Sequence, residues 1–214
     1  MPSIRYREQV EIAMEGTIHL GIQRLPPDPV GLVLFAHGSG SSRLSSRNNY
    51  VAELLAERRI GSLLFDLLTE REDRVYASRF DIDLLSRRLL QATEWVCRQP
   101  APGPLPLGYF GASTGAAAAL QAAAGLPGQV AAVVSRGGRP DLAMPYLDRV
   151  KAPTLLLVGG LDYQVIELNR QAEQALSCPK QLSIIPGATH LFEEPGTLEQ
   201  VAQQAGDWFA KYLH

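Results

Sequence analysis

Apolar positions along the chain repeat in two ways, and the alternation between them predicts its elements. Residues 4–12 and 16–24 alternate weakly between apolar and polar on either side of Glu15-Gly16, so they read as an N-terminal hairpin around a turn. Pro26, Pro27 and Pro29 end that pattern, and residues 31–36 (GLVLFA) form a short continuous apolar run, as expected of a strand buried on both faces. From there strand-like runs at 60–66, 107–112, 130–135, 154–159 and 180–185 alternate with helical patterns at 47–59, 81–97, 114–124, 164–177 and 198–213, with a weaker helical stretch at 141–149. Strands and helices alternating at this spacing imply right-handed crossovers and an α/β fold: a mostly parallel eight-stranded sheet with helices on both faces. Ligands of such sheets bind beyond the carboxyl ends of the strands, so chemistry is expected just after residues 36, 66, 112, 135, 159 and 185.

Composition narrows the class without naming a function. Hydrophobic residues make up 46% of the 214 positions and charged residues 20%, so one globular domain over 1–214 is expected, with a core that needs no staple. The formal net charge is −2 and no Lys/Arg run stands out, which leaves nucleic-acid binding without an electrostatic footprint. The first nine residues carry Arg5, Arg7 and Glu8 and lack the apolar stretch of a signal peptide, and no window reaches the apolar length of a membrane span. The expectation is a soluble cytoplasmic protein that engages neither membrane nor nucleic acid and needs no cofactor or metal; oligomeric state is not legible. The two cysteines, Cys97 and Cys178, read as idle thiols in helical segments.

Candidate chemistry gathers at the expected edge. Gly111-Ala112-Ser113-Thr114-Gly115 matches G-x-S-x-G directly after an apolar strand and directly before an alanine-rich helix. A serine on so sharp a turn is held strained with its hydroxyl exposed, and a Cβ at either flanking glycine would collide with the neighbouring strand or helix. The bland reading, a Gly/Ser turn capping a helix, is weakened by the partners available. Of the four histidines, His190 lies in the loop after the last strand; His19 falls in the hairpin, His214 ends the chain, and His37 is suited to stabilising its own loop. Asp162 follows the strand at 154–159, with Asp141, Glu193 and Glu194 as rival acids. Ser113, His190 and Asp162 would then act as nucleophile, base and orienting acid. The backbone N–H groups of Thr114 and of Ser39, within the small-residue loop His37-Gly38-Ser39-Gly40, are the candidate oxyanion donors. That loop lacks the G-K-[ST] ending of a phosphate-binding loop. Arg43, Arg47, Glu70, Arg136 and Arg139 also fall on the carboxyl-end loops, where they could hold a substrate carboxylate or simply be solvated.

With these residues in place the chain resembles an α/β-hydrolase over essentially its whole length, most closely the small lidless branch that includes dienelactone hydrolases. The stretches HGSGSSR (37–43), FDLLTERED (65–73), RFDIDLL (79–85), GASTGAAAAL (111–120), SRGGRPDLA (135–143) and PGATHLFEEPG (186–196) are similar to a bacterial subgroup of that branch. In that subgroup such domains occur alone or joined to a phosphoribosyltransferase-like domain. The order Ser113, Asp162, His190 is the order α/β-hydrolases use. Dienelactone hydrolases proper carry cysteine where this chain has Ser113, so lactone specificity does not transfer and hydrolysis of small carboxylic esters is implied. A thioesterase on the same triad, and a binding or regulatory module or engineered scaffold that keeps the fold without turnover, remain open. Only about 18 residues separate the strand ending near Ser135 from the next, too few for a substantial lid, so a shallow open site is expected.

Overall fold

The structure, a computed structural model, describes residues 6–100 and 103–213; positions 4 and 5 of the expected first strand and His214 lie outside them. Strands β1 (Tyr6–Met14) and β2 (Thr17–Leu25) form the hairpin, shifted one or two residues later than the pattern suggested. The shift follows from the turn: Glu15 and Gly16 both take positive φ, 46° and 77°, which makes a two-residue hairpin loop that pairs Met14 with Thr17. Strand β3 (Gly31–Ala36) follows, then helix α1 (Ser46–Glu57) and strand β4 (Ile60–Phe65). Helix α1 stops short of the expected residue 59 because Arg59 adopts a left-handed φ of 61° to turn the chain into β4.

After β4 the chain makes a short helix α2 (Glu70–Asp73) and a 3-10 turn at Tyr76–Phe80, where no element was expected. The capping box that starts α2 was in plain view: Thr69 and Glu72 bond each other's backbone N–H groups. Helix α3 (Ile82–Cys97), strand β5 (Leu107–Ala112), helix α4 (Thr114–Gly125) and strand β6 (Val130–Arg136) come next. The weak helical stretch near 141–149 is a 3-10 segment, Pro140–Arg149, with Pro145 inside it, whose missing N–H and ring preclude a regular α-helix. Strand β7 (Thr154–Gly159), helix α5 (Tyr163–Ala175), strand β8 (Lys180–Ile185) and helix α6 (Thr197–Tyr212) complete the order.

The eight strands form one sheet in the order β1-β2-β4-β3-β5-β6-β7-β8, antiparallel at β1–β2 and β2–β4 and parallel elsewhere. The sequence order reverses direction across β4-β3-β5, which makes the edge beyond β3 and β5 a topological switch point. Alternate residues of the buried strands serve opposite faces: Leu34 and Tyr109 join one core with α3, α4 and the 3-10 segment, whereas Phe35 and Phe110 join another with α1 and α6. The alanines of α4 (Ala117, Ala118, Ala119, Ala122 and Ala123) are buried in the first core, so that helix packs close beneath the sheet edge where the candidate nucleophile sits. Ala143, Leu147 and Val150, between β6 and β7, are buried in the same core, so this connection is committed to packing rather than to a cap. No helix among the described residues is long and apolar enough to cross a membrane.

Candidate active site

Ser113 occupies the turn between β5 and α4 with φ 50° and ψ −120°, a conformation an L-residue holds only when its surroundings enforce it. Those surroundings are specific. A Cβ on Gly111 would stand 2.4 Å from Ala116 Cα, and one on Gly115 would stand 2.2 Å from the Ala36 carbonyl oxygen, so strand and helix approach too closely for any side chain. Both backbone groups of Ser113 are clamped by the end of β6 and the loop after it: its N–H donates to the Arg136 carbonyl at 3.2 Å, and its carbonyl accepts from the Arg139 N–H at 3.1 Å. That loop is itself held, since Asn169 on α5 donates from Nδ2 to the Gly138 carbonyl at 3.0 Å. A Cβ on Gly138 would meet Ser135 Oγ at 2.0 Å. Sequence reasoning missed Gly138 and Asn169. Their role depends on a contact between distant elements, and only the Gly-Gly pair after the strand hinted at it.

His190 and Asp162 are brought together from the loops after β8 and β7, with Nδ1 and Oδ2 2.6 Å apart. Asp162 begins α5 but makes no capping bond with its side chain, which turns to the imidazole instead. An ionised carboxylate only accepts, so Nδ1–H donates and Nε2 of the neutral ring is left free to take a proton. The rival acids are occupied elsewhere. Asp141 forms a two-point pair with Arg139 at 2.9 and 2.8 Å, and Glu193 pairs with Arg47 at 3.1 Å. Glu194 accepts from the Thr189 hydroxyl at 2.6 Å and from the Thr189 N–H at 3.1 Å, and those bonds hold its carboxyl below the usual glutamate range. His190 reaches Ser113's surroundings across Gly137: a Cβ there would lie 3.2 Å from the His190 carbonyl and 3.6 Å from Cε1. Among the described residues no hydrogen bond joins Ser113 Oγ to His190.

The loop after β3 lies against the other side of the serine. A Cβ on Gly38 would stand 3.1 Å from Ser113 Cβ, so a side chain there would crowd the hydroxyl. His37 braces this loop, its Nε2 accepting from the Leu67 N–H at 3.0 Å while Nδ1–H donates to the Gly38 carbonyl at 3.0 Å. Burial of this ring lowers its affinity for protons, and the tautomer set by the two bonds is the neutral one. Thr114 is the first residue of α4, so its N–H has no intrahelical acceptor. The Ser39 N–H, expected to face a ligand, is engaged: it donates to Thr114 Oγ1 at 2.9 Å.

The rim charges divide clearly. Arg43 is paired with Asp66, Arg47 with Glu193 and Arg139 with Asp141, while Glu70 faces Arg74 at 3.9 Å on the exposed surface of α2. Arg136 alone of this set is buried; it lies over the Phe192 ring, 5.9 Å from its centroid, and burial with Arg47 nearby pushes its pKa down to about 10. A cavity of about 340 Å³ opens beside the loop after β3, lined by His37, Ser41, Ser42, Arg43, Asp66 and Thr69 among others. No three His, Cys, Asp or Glu side chains among the described residues converge to hold a metal ion. Cys97 and Cys178 are both free thiols.

A mostly parallel eight-stranded sheet of this order, with a strained serine between strand and helix at its carboxyl edge, is that of an α/β-hydrolase. Residues 52–213 match the model of the dienelactone hydrolase family, and the chain belongs to that family. The crystal structure of a dienelactone hydrolase from Anabaena variabilis is 52% identical, covering 98% of this chain and 99% of that one with a TM-score of 0.94. The esterase Est1E of Butyrivibrio proteoclasticus shares the fold at 15% identity, with 95% and 98% of the two chains covered and a TM-score of 0.82. A protein of Mycobacterium tuberculosis strain CDC 1551 / Oshkosh, named provisionally as a phosphoribosyl transferase, is 56% identical over 206 residues. That match takes in 96% of this chain but 46% of the relative, so the chain spans about half the length of the curated relatives it matches.

Proposed function

We propose that this chain is a serine hydrolase of small carboxylic esters, working through an acyl-enzyme on Ser113. The observation that carries the proposal is the His190–Asp162 pair, 2.6 Å apart, at the same sheet edge as a serine held with φ 50°. In the reaction Ser113 Oγ attacks the ester carbonyl carbon while His190 Nε2 takes the hydroxyl proton. Asp162 keeps Nε2 as the basic nitrogen and stabilises the imidazolium that forms. The tetrahedral intermediate collapses as the carbon–oxygen bond to the alcohol breaks and His190 returns the proton to the departing alkoxide. Water then repeats the sequence on the acyl-enzyme and frees Ser113. The Thr114 N–H, without an intrahelical partner and at the positive end of α4, supplies one hydrogen bond to the developing oxyanion.

The phosphoribosyl transferase name belongs to relatives of which this chain matches less than half, and the loop after β3 carries no phosphate-binding lysine. Ester hydrolysis therefore describes this portion better. A fluorophosphonate probe tests the reading, because such reagents modify serines activated by a neighbouring base. A single adduct mapped to Ser113, absent in Ser113→Ala, together with hydrolysis of short p-nitrophenyl esters, is the expected result. An unmodified Ser113 would overturn the proposal, and turnover of acyl thioesters in place of oxygen esters would move the activity to thioester hydrolysis on the same residues.

A further inference from the structure

Strand β1 is an edge of the sheet: it pairs with β2 on one side, and among the described residues no strand pairs with the other. An open edge is a row of unpaired N–H and C=O groups, and folded chains blunt such rows with short strands, prolines, bulges or lysines. β1 has none of these. It runs nine residues, Tyr6–Met14, without proline or lysine, and its register with β2 is unbroken from Tyr6↔Leu25 to Met14↔Thr17. The opposite edge, β8, has six residues and opens with Lys180. The direction of the free groups on β1 follows from β2. The Leu20 carbonyl, opposite Glu11, accepts from the Asp66 N–H at 3.0 Å at the end of β4, so the Glu11–Leu20 pair is not bonded within the hairpin. Residues 7, 9, 11 and 13 of β1 therefore turn their N–H and C=O groups outward. The side chains of those residues, Arg7, Gln9, Glu11 and Ala13, are all exposed.

We propose that this edge is the docking surface for a second copy of the chain, which adds its own β1 antiparallel about a twofold axis through Gln9. The proposal does not depend on the chemistry at Ser113. Hydrogen bonding across an antiparallel edge sets outward residues opposite outward residues, so only registers that oppose odd positions to odd positions are open. Charge then selects among them. Centring on Gln9 sets Arg7 opposite the partner's Glu11 and Glu11 opposite the partner's Arg7, two ion pairs on one exposed face. Centring on Arg7, Glu8 or Glu11 opposes that residue to its own copy, and centring on Val10 leaves Arg7 opposite alanine. Arg7 and Glu11 cannot satisfy each other within one chain, because four residues of strand span about 13 Å. On the inner face Val10, half-buried at the margin of the first core, becomes a diagonal neighbour of the partner's Val10 and is covered. A single pair of strands buries less than the roughly 1,200 Å² of a stable interface, so the dimer is a weak one, half-formed on the order of tens of micromolar.

Sedimentation velocity of the whole chain, from about 1 to 500 μM, tests the proposal. The average mass is expected to rise from one chain toward two, with a midpoint several-fold higher in about 1 M salt because exposed ion pairs are screened. Arg7→Glu and Glu11→Arg each turn two attractive pairs into two repulsive ones, so each alone is expected to shift the midpoint upward by about tenfold or more. Mixed in equal amounts, the two variants again oppose unlike charges at both positions, and a heterodimer is expected with a midpoint within about threefold of the parent's. The chain carrying both substitutions is expected to recover its homodimer in the same way. Both side chains are exposed, so the variants should keep the parent's urea midpoint and its ester hydrolysis. Gln9→Pro gives an independent reading: it removes the central outward N–H without costing a bond to β2, and is expected to abolish association. A parent chain that stays monomeric throughout would overturn the proposal. A dimer indifferent to the charge reversals, or a mixture that fails to recover, would do the same, because association would then use another surface.

Discussion

At the scale of single residues the site is an arrangement of constraints around one hydroxyl. Ser113 is strained, and strained backbone of this kind costs on the order of 1–3 kcal/mol, offset here by the clamp of Arg136 and Arg139 on its two peptide groups. Gly115→Ala is the sharpest test of that packing. Its methyl would lie 2.2 Å from a strand carbonyl that has no freedom to retreat, so α4 must move off β3. The expected outcome is loss of fluorophosphonate labelling together with destabilisation of about 1–3 kcal/mol or more, read from urea unfolding. Asp162→Asn tests the chemistry without the packing. The amide retains the shape but lets the imidazole take the wrong tautomer, so kcat is expected to fall by about 10³–10⁴-fold while stability changes little. A loss of less than tenfold would return the acid role to Asp141 or Glu194.

At the scale of elements, the loop after β3 depends on one buried imidazole. His37 bonds Leu67 after β4 and the carbonyl of Gly38, so it ties two loops of the switch point together as a neutral ring. Burial lowers its folded-state pKa, whereas the unfolded chain titrates near the ordinary value of 6.5. The stability this group contributes is therefore complete above about pH 6.5 and is lost as pH falls from there toward the folded value. The urea midpoint should drop between about pH 7.5 and 5.5, and His37→Gln should show a shallower drop over the same interval; equal slopes would assign the linkage to another group. The same loop shows what a sequence can and cannot disclose. The succession of strands and helices, the sharp turn at Ser113 and the placing of Asp162 and His190 in the loops after β7 and β8 were legible because each is marked by local pattern and by position after a strand. The Ser39–Thr114 bond, the Asn169 support of Gly138 and the 3-10 character of Pro140–Arg149 were not. The first two are contacts between residues 75 and 31 positions apart, and the third is a proline effect overriding a helical pattern. The short helix α2 is a different case, since its capping box was written in Thr69 and Glu72 and was passed over as loop.

At the scale of the whole molecule, the chain between β6 and β7 is spent on packing. Ala143, Leu147 and Val150 there close the core against α4 and α5 rather than folding over the serine. Leu161 and Leu191, the chain neighbours of Asp162 and His190, are exposed. Each methylene of an acyl chain gains about 0.8 kcal/mol only where it is buried, and an open edge buries few of them. On soluble p-nitrophenyl esters, kcat/KM is therefore expected to peak at acyl chains of about two to six carbons and to stop rising beyond them. Activity on a short-chain triglyceride should pass through its solubility limit without a jump, because no segment needs an interface to open it. A jump would mean that some part of the edge does move. The segment to suspect is then the one carrying α2 and the 3-10 turn at Tyr76–Phe80, where Val75, Tyr76 and Phe80 are exposed beside the loop after β3. Replacing those three with serine would abolish the jump if they form a mobile cover, and would leave hydrolysis of a soluble ester unchanged if the site is as open as the fold requires.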